Sequence, residues 1–271
     1  MNRDTPLYKI MSLERFHELL CIGKNVLVHP STWDDPFEKE IDETTVVVQD
    51  GDEIRMHSVN GNYWWGQSWS LNKQSDAMWQ LYAPDRKKRY VKIKTTYGLL
   101  EDSCKISKEE EEQTISFFTI QELNYVPNEK DKINESISKW VEEFKSYIPE
   151  ELQTSLGRIL TKRDSFTHEA EVRLIRYLKP LDNDDKNGNV CDSTLYKYRV
   201  DWRKLILEVE LDPWTNKICR REKKYINKKI GKRKIRKSNL YRSPTNKEYI
   251  IKKNTNLGSF NKLIDDIGFK K

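Results

Sequence analysis

The sequence predicts an α+β protein, and three observations carry that expectation. The chain opens with a short strand, a capped helix and a second strand. Amphipathic helices fill its middle, and short strands return after residue 170. A strand-rich body therefore carries one helix after its first strand and others inserted in the middle.

Leu7-Tyr8-Lys9-Ile10 reads as the first strand. Ser12 has the chemistry of a helix N-cap, and Leu13, Phe16, Leu19 and Leu20 recur at helical spacing until Gly23. Asn25 to Val28 is a second strand, ending in the turn-rich Pro30-Ser-Thr-Trp-Asp-Asp-Pro36. Tyr63 to Trp69 is aromatic and extended. Asp76 to Tyr82 is helical with Met78, Leu81 and Tyr82 on one side, and Arg89 to Lys94 alternates as a half-buried strand. Ser107 followed by Glu109 to Glu112 looks like a capped helix start, because acids favour the positive end of the helix dipole. Ile133, Ile137, Trp140, Val141, Phe144 and Ile148 make an amphipathic helix, and Leu152, Leu156, Ile159 and Leu160 a shorter one. Strands are expected at 171–177, 195–200 and 205–211, with a loop at Asn183 to Gly188. The expected organisation is one domain over 1–245, with a helical insertion at about 105–162, and a C-terminal extension over 246–271.

At 271 residues the chain is long enough to bury a sizeable core. Charged residues are 34%, above the ~25% usual for soluble domains, yet eight Trp, thirteen Tyr and eight Phe supply ample apolar surface for folding. No apolar run approaches the ~18 residues of a membrane helix, and the N-terminal residues lack a signal-type segment. Cys21, Cys104, Cys191 and Cys219 are scattered, which argues against a zinc site and for thiols in a reducing cytoplasm. The charge is uneven. Lys217 to Arg242 holds thirteen Lys or Arg and one acid, Glu222, a balance of +12 in a chain of +6. The remainder is mildly acidic.

Chemistry concentrates in Phe166-Thr-His-Glu-Ala-Glu-Val-Arg-Leu-Ile175, where Glu169 and Glu171 stand at i and i+2 as a polar loop enters an apolar run. In extended chain both project to one face, with Val172 and Leu174 on the other. The structural alternative is a solvated strand face with Glu171 paired to Arg173 or Arg176.

Three segments taken together resemble a known family. They are Leu7-Tyr-Lys-Ile10 leading to Pro30-Ser-Thr-Trp-Asp-Asp-Pro-Phe-Glu38, then Ser68-Trp-Ser-Leu with Asp76-Ala-Met-Trp-x2-Tyr82, then Phe166-x-His-Glu-x-Glu-Val-Arg-Leu174. The pattern, over roughly residues 7 to 240, is similar to a widespread bacterial domain family related to ADP-ribosyltransferases. It departs at Asp34, where Asn is expected before Asp-Pro. The resemblance implies a split β-sheet core and NAD as substrate without a metal. It also implies a site drawing Tyr8 from the first strand, Ser70 from a central strand and Glu171 from a late one.

Those residue types suit the chemistry. Transfer from NAD breaks an N-glycosidic bond through an oxocarbenium-like transition state, as glycoside hydrolysis does. A carboxylate on the ribose hydroxyls stabilises that charge more than the ground state, the role expected of Glu171. Glu169 would orient or deprotonate the acceptor. Tyr8 and Tyr82 offer aromatic surfaces for nicotinamide, Ser70 a hydroxyl for ribose, and Trp79 and Asp35 complete the expected lining. Each has a plainer reading: Tyr8 as core, Ser70 as a helix cap, Trp79 as packing, and Asp35 as closing its own Asp-Pro turn. His168 reads as a surface residue, and His17 has no partner visible in the sequence. No G-x-G-x-x-G or Walker pattern is present.

The basic segment reads as a helix with Ile218, Ile226 and Ile230 on its buried side, Gly231 at its end, and a strand over Arg233 to Leu240. Clustered cations release counterions from phosphate backbones, so Lys232, Arg233, Lys234, Arg236 and Lys237 are expected to bind nucleic acid, RNA favoured over DNA. Tyr225 and Tyr241 add stacking surfaces. An acidic protein such as an antitoxin would use the same patch. The functional expectation is an NAD-dependent ADP-ribosyltransferase acting on nucleic acid, plausibly a toxin or phage-defence effector. A non-enzymatic nucleic-acid-binding module and a protein-directed transferase are the alternatives.

Overall fold

A computed structural model describes residues 1–39, 45–50, 53–58, 63–104, 114–180, 194–215, 217–231 and 234–242. The chain divides into two units, Met1–Leu240 and Tyr241–Lys271. The first is a mixed α+β body with a nine-stranded sheet. The Ser107–Glu112 helix start, the Asn183–Gly188 loop, Cys191 and the 246–271 extension lie outside the described residues.

β1 (Pro6–Ser12) runs into α1 (Leu13–Ile22). The Ser12 side chain accepts from the Arg15 amide at 3.1 Å, and Gly23 closes the helix with φ 66°, a left-handed conformation that glycine adopts without steric cost. β2 (Lys24–Val28), a 3-10 turn at Pro30–Thr32 and α2 (Pro36–Lys39) follow. Then come the hairpin β3 (Thr45–Asp50) and β4 (Glu53–Ser58), β5 (Trp64–Ser70), α3 (Asp76–Tyr82), β6 (Tyr90–Thr96) and α4 (Tyr97–Ser103). The middle contributes β7 (Thr114–Glu122), β8 (Asn124–Val126), α5 (Lys130–Phe144), α6 (Glu150–Ile159) and β9 (Thr161–Arg163). A 3-10 helix at Asp164–Glu169 leads to β10 (Glu171–Pro180), then β11 (Leu195–Arg199), α7 (Trp202–Leu205), β12 (Glu208–Leu211), α8 (Arg220–Ile230) and β13 (Ile235–Arg236).

Several expectations are corrected. The region 105–162 is not a purely helical insertion, since β7 pairs along the length of β10. β10 does not present a solvated face: it lies between β5 and β7 and is buried on both faces, Arg173 and Arg176 included. β6 is buried on both faces rather than half-buried, because α1 and α4 pack against it and Trp79 of α3 covers Tyr90. On α3 the buried pair is Met78 and Trp79, while Leu81 and Tyr82 are exposed, because the larger indole takes the place against Tyr90 and Trp214. The expected strand at 205–211 begins only at Glu208, after α7, and the basic strand shrinks to Ile235–Arg236.

The sheet pairing creates the site. One edge of β5 pairs continuously with β10, from Glu171↔Ser70 to Tyr177↔Trp64. The other edge is shared by two strands, β2 at Val28↔Gly66 and β1 at Tyr8↔Ser70, one bridge each. Between those bridges the sheet opens at Gln67 to Trp69. Side chains occupy the gap: Gln67 bonds Asn25 and the Val26 carbonyl, and Lys9 donates to the Ser68 carbonyl at 2.8 Å.

Candidate active site

A small cleft of about 70 Å³, open to solvent, lies against this gap. Tyr8, Ser70, Tyr82, Glu169 and Glu171 all line it, joined by Lys9, Ser68, Asn72 and Lys92. Five residues expected at the site thus meet at one surface although they come from five separate elements.

The two carboxylates converge by a different route from simple alternation. Glu169 is the last residue of the 3-10 helix, and Ala170 turns the chain with φ 43° before Glu171 opens β10. A left-handed alanine costs roughly 1–2 kcal/mol, and such residues persist where surrounding contacts fix them. Here the Ala170 carbonyl accepts from Leu71 and its amide bonds Thr167. The bend lets both acids reach one ammonium: Lys162 Nζ donates to Glu169 Oε2 at 2.7 Å and Glu171 Oε2 at 2.8 Å.

Glu171 is not on a solvated face. It is 2% exposed, and its Oε1 accepts from Arg173 Nε at 2.9 Å and from the Ser68 hydroxyl. Arg173 also donates to Glu38 and to the Ile159 carbonyl, each at 2.5 Å, and its guanidinium stands over the Trp33 ring. Three carboxylates therefore share two buried cations, with Lys162 3.7 Å from Glu38. Burial alone would raise the Glu171 pKa, but Arg173, Lys162 and the hydrogen bonds from Lys162 and Ser68 bring it down to about 2. Burial disfavours charge on Lys162 and Arg173 as well, and the facing carboxylates outweigh it and hold both cations charged. Tyr82, exposed as a whole residue, turns its hydroxyl to Glu169, and desolvation of that hydroxyl together with Glu169 and Glu171 pushes its phenol up. The Tyr125 hydroxyl accepts from the Glu171 amide at 2.8 Å, fixing the start of the strand.

Lys9 behaves differently from its neighbours. Burial lowers its pKa to about 8, with Glu171 opposing the shift. Lys92 is paired with Glu210 at 3.0 Å, whereas the described contacts of Lys9 include a carbonyl but no carboxylate ion pair. It is a lysine facing the cleft with donor capacity left over.

Other expected residues fall elsewhere. Trp79 is fully buried under α3 against Trp214 and does not line the cleft; Lys92 lies 5.6 Å from its ring and 5.7 Å from that of Tyr8. Asp35 also stands off the cleft, accepting from the Phe37 amide at 3.0 Å, as a closed Asp-Pro turn requires, and from Arg163 at 2.5 Å. Ser70 lines the cleft, but its hydroxyl donates to the Glu169 carbonyl at 2.6 Å; the cap of α3 is Ser75. Lys234 donates to the carbonyls of Arg203 and Ile206, and Arg236, though exposed, pairs with Glu208 at 2.9 Å, so both already have partners in the protein. Lys237 is exposed, and Lys232 and Arg233 lie outside the described residues. The pairing of Glu171 with Arg173, given above as the structural alternative, is present, but on a buried face. Sequence reasoning missed Lys162, Ser68, Lys9 and Glu38, and Lys162 and Glu38 carry no local signal.

No protein-family model matches the chain, and no curated protein matches it. Among solved structures it is similar to Thermus sp. 2.9 DarT in complex with carba-NAD+, at 11% identity over 88% of this chain and 96% of that one, with a TM-score of 0.32. The same protein in complex with ADP-ribosylated ssDNA gives 10% identity, 87% and 94% coverage and a TM-score of 0.33. In complex with NAD+ it gives 10%, 84% and 88%, and 0.30.

Proposed function

We propose that the protein is an NAD-dependent ADP-ribosyltransferase whose acceptor is nucleic acid. The observation that carries this reading is a buried Glu171, held ionised at neutral pH by Arg173 and Lys162, at a cleft in a split sheet and already accepting a hydrogen bond from one hydroxyl, that of Ser68. A ribose hydroxyl presents the same donor. As the bond from ribose C1′ to the nicotinamide nitrogen breaks, its electron pair leaves with nicotinamide and positive charge grows on the ribose. The fixed anion stabilises that charge. The acceptor oxygen or nitrogen then bonds C1′ and gives up its proton to Glu169, the cleft's other carboxylate. The rings of Tyr8 and Tyr82 flank the cleft, and Lys9 supplies a cation for the dinucleotide's phosphates. The +12 segment supplies attraction for a polyanionic acceptor.

The test is incubation of purified protein with labelled NAD and separate pools of RNA, single-stranded DNA and protein. Label is expected on nucleic acid, with RNA the first pool to examine; label confined to protein would redirect the reading to a protein-modifying enzyme. Nucleic-acid binding with no loss of NAD in any pool would leave a binding module.

The Lys9 assignment makes a separate prediction. The groups in electrostatic reach of its ammonium are Glu171 and Arg15, with Tyr8, Lys92, Glu169 and Tyr82 also lining the cleft. Its charge is lost as pH rises through about 8, so ADP-ribose affinity, measured calorimetrically between pH 6.5 and 9.5, should fall across that range. Lys9→Met should bind more weakly at pH 7 and show a flat profile. Equal affinities at pH 7 would remove Lys9 from the phosphate contacts.

A further inference from the structure

The basic segment separates into two halves with different surroundings. In the strand half, Lys234 is held on two backbone carbonyls and Arg236 is paired with Glu208. In the helix half, Arg220, Arg221, Lys224 and Lys228 are exposed, and none makes a side-chain hydrogen bond or ion pair among the described residues. At 100° per residue these four fall within one 100° sector, opposite the buried Ile226 and Ile230. The only acid of the helix, Glu222, is turned away into a two-bond pair with Arg89, both distances 2.6 Å. The helix is also fixed at both ends, by a Cys219–Glu222 capping box and by Arg203 donating to the Lys228 carbonyl.

We infer that α8, and not the following strand, is the surface that grips the acceptor, through the phosphates of a single-stranded nucleic acid. Arg220, Lys224 and Lys228 rise about 6 Å per step, giving a straight stripe about 12 Å long on a rigid element. Its exposed cations make no ion pair among the described residues, so binding breaks none. A single strand is the matching form because an enzyme that modifies a base must have it out of the duplex. The inference rests on nucleic acid being the acceptor, as proposed above.

Anisotropy with labelled 12-nucleotide single-stranded RNA and DNA, from 25 to 200 mM salt, reads the contacts directly. Each phosphate contact contributes about 0.7 to the slope of log affinity against log salt for single strands. Replacing Arg220, Arg221, Lys224 and Lys228 together with Gln should flatten the slope by about 2–3, and Lys224→Gln with Lys228→Gln by about 1.4. Gln preserves helix propensity, and the milder pair serves if the fourfold variant melts early. Arg236→Gln with Lys237→Gln should leave the slope unchanged. An unchanged slope in the α8 variants, flattening only in the Arg236/Lys237 pair, or no nucleic-acid binding by the wild type at 25 mM salt would each overturn the inference. Wild-type NAD consumption, measured in parallel, tests the transferase reading separately: salt-dependent binding through α8 with no NAD consumed leaves this surface standing and removes the enzyme.

Discussion

Glu171→Gln is expected to lower ADP-ribose transfer by a factor of at least ~100, equivalent to about 2.7 kcal/mol of transition-state stabilisation, while NAD affinity changes only a few-fold. The substitution keeps the shape of the side chain and one acceptor oxygen for Arg173 or Lys162. It removes the full negative charge that faces the developing oxocarbenium. Because the carboxylate titrates near 2, it is ionised throughout the range in which the protein would be assayed, so the wild-type rate should show no acidic limb from this group between pH 5 and 8. Single-turnover transfer with labelled NAD and an equilibrium NAD titration separate the two effects. Circular dichroism at the assay temperature controls for unfolding. Wild-type transfer by a folded Gln variant would remove Glu171 from the reaction.

Much of the scaffold was legible because it depends on local chemistry. Ser12, Gly23 and the spacing of Leu13, Phe16, Leu19 and Leu20 define α1 from within twelve residues, and Asp76–Tyr82 is helical as expected, though its cap is Ser75 and not Ser70. The site was legible in part. Tyr8 and Ser70 were drawn from separate segments and turn out to face each other in the sheet, at the one bridge joining β1 to β5. What could not be read is what depends on distant partners. Lys162 is recognisable only once α2, the 3-10 helix and β10 bring Glu38, Glu169 and Glu171 around it. The same holds for burial. Glu171 and Arg173 alternate like a solvated strand face, and only the packing of Trp33 and Glu38 against Arg173 shows that the face is covered. Lys234 looked like a free cation because the carbonyls that hold it, on Arg203 and Ile206, belong to another element.

Arg173→Met should be the most destabilising of these substitutions, costing about 3–5 kcal/mol, the range for removing one partner of a buried ion pair. Met preserves much of the volume beside Trp33 but leaves Glu38 and Glu171 facing each other with only Lys162 between them. It also orphans the Ile159 carbonyl. For a body of this size that corresponds to a fall in Tm of roughly 6–20 °C. The pH dependence carries a further signature. In the wild type the Glu171 carboxyl lies at about 2, below its ordinary 4.5, so its contribution to stability is complete above pH 4.5 and is lost as pH falls toward 2. Without Arg173 the folded-state value rises toward or above the unfolded one. Urea melts at pH 7 and pH 4 should therefore show wild-type stability falling with acidification, and a smaller fall, or a gain, in Arg173→Met. Adding Glu38→Gln to Arg173→Met should recover part of the loss by removing one orphaned charge, and the double-mutant cycle measures that coupling. A loss under 1 kcal/mol at pH 7, with no coupling to Glu38, would mean that the charges are hydrated in solution, and the fixed anion on which the proposed chemistry depends would go with them.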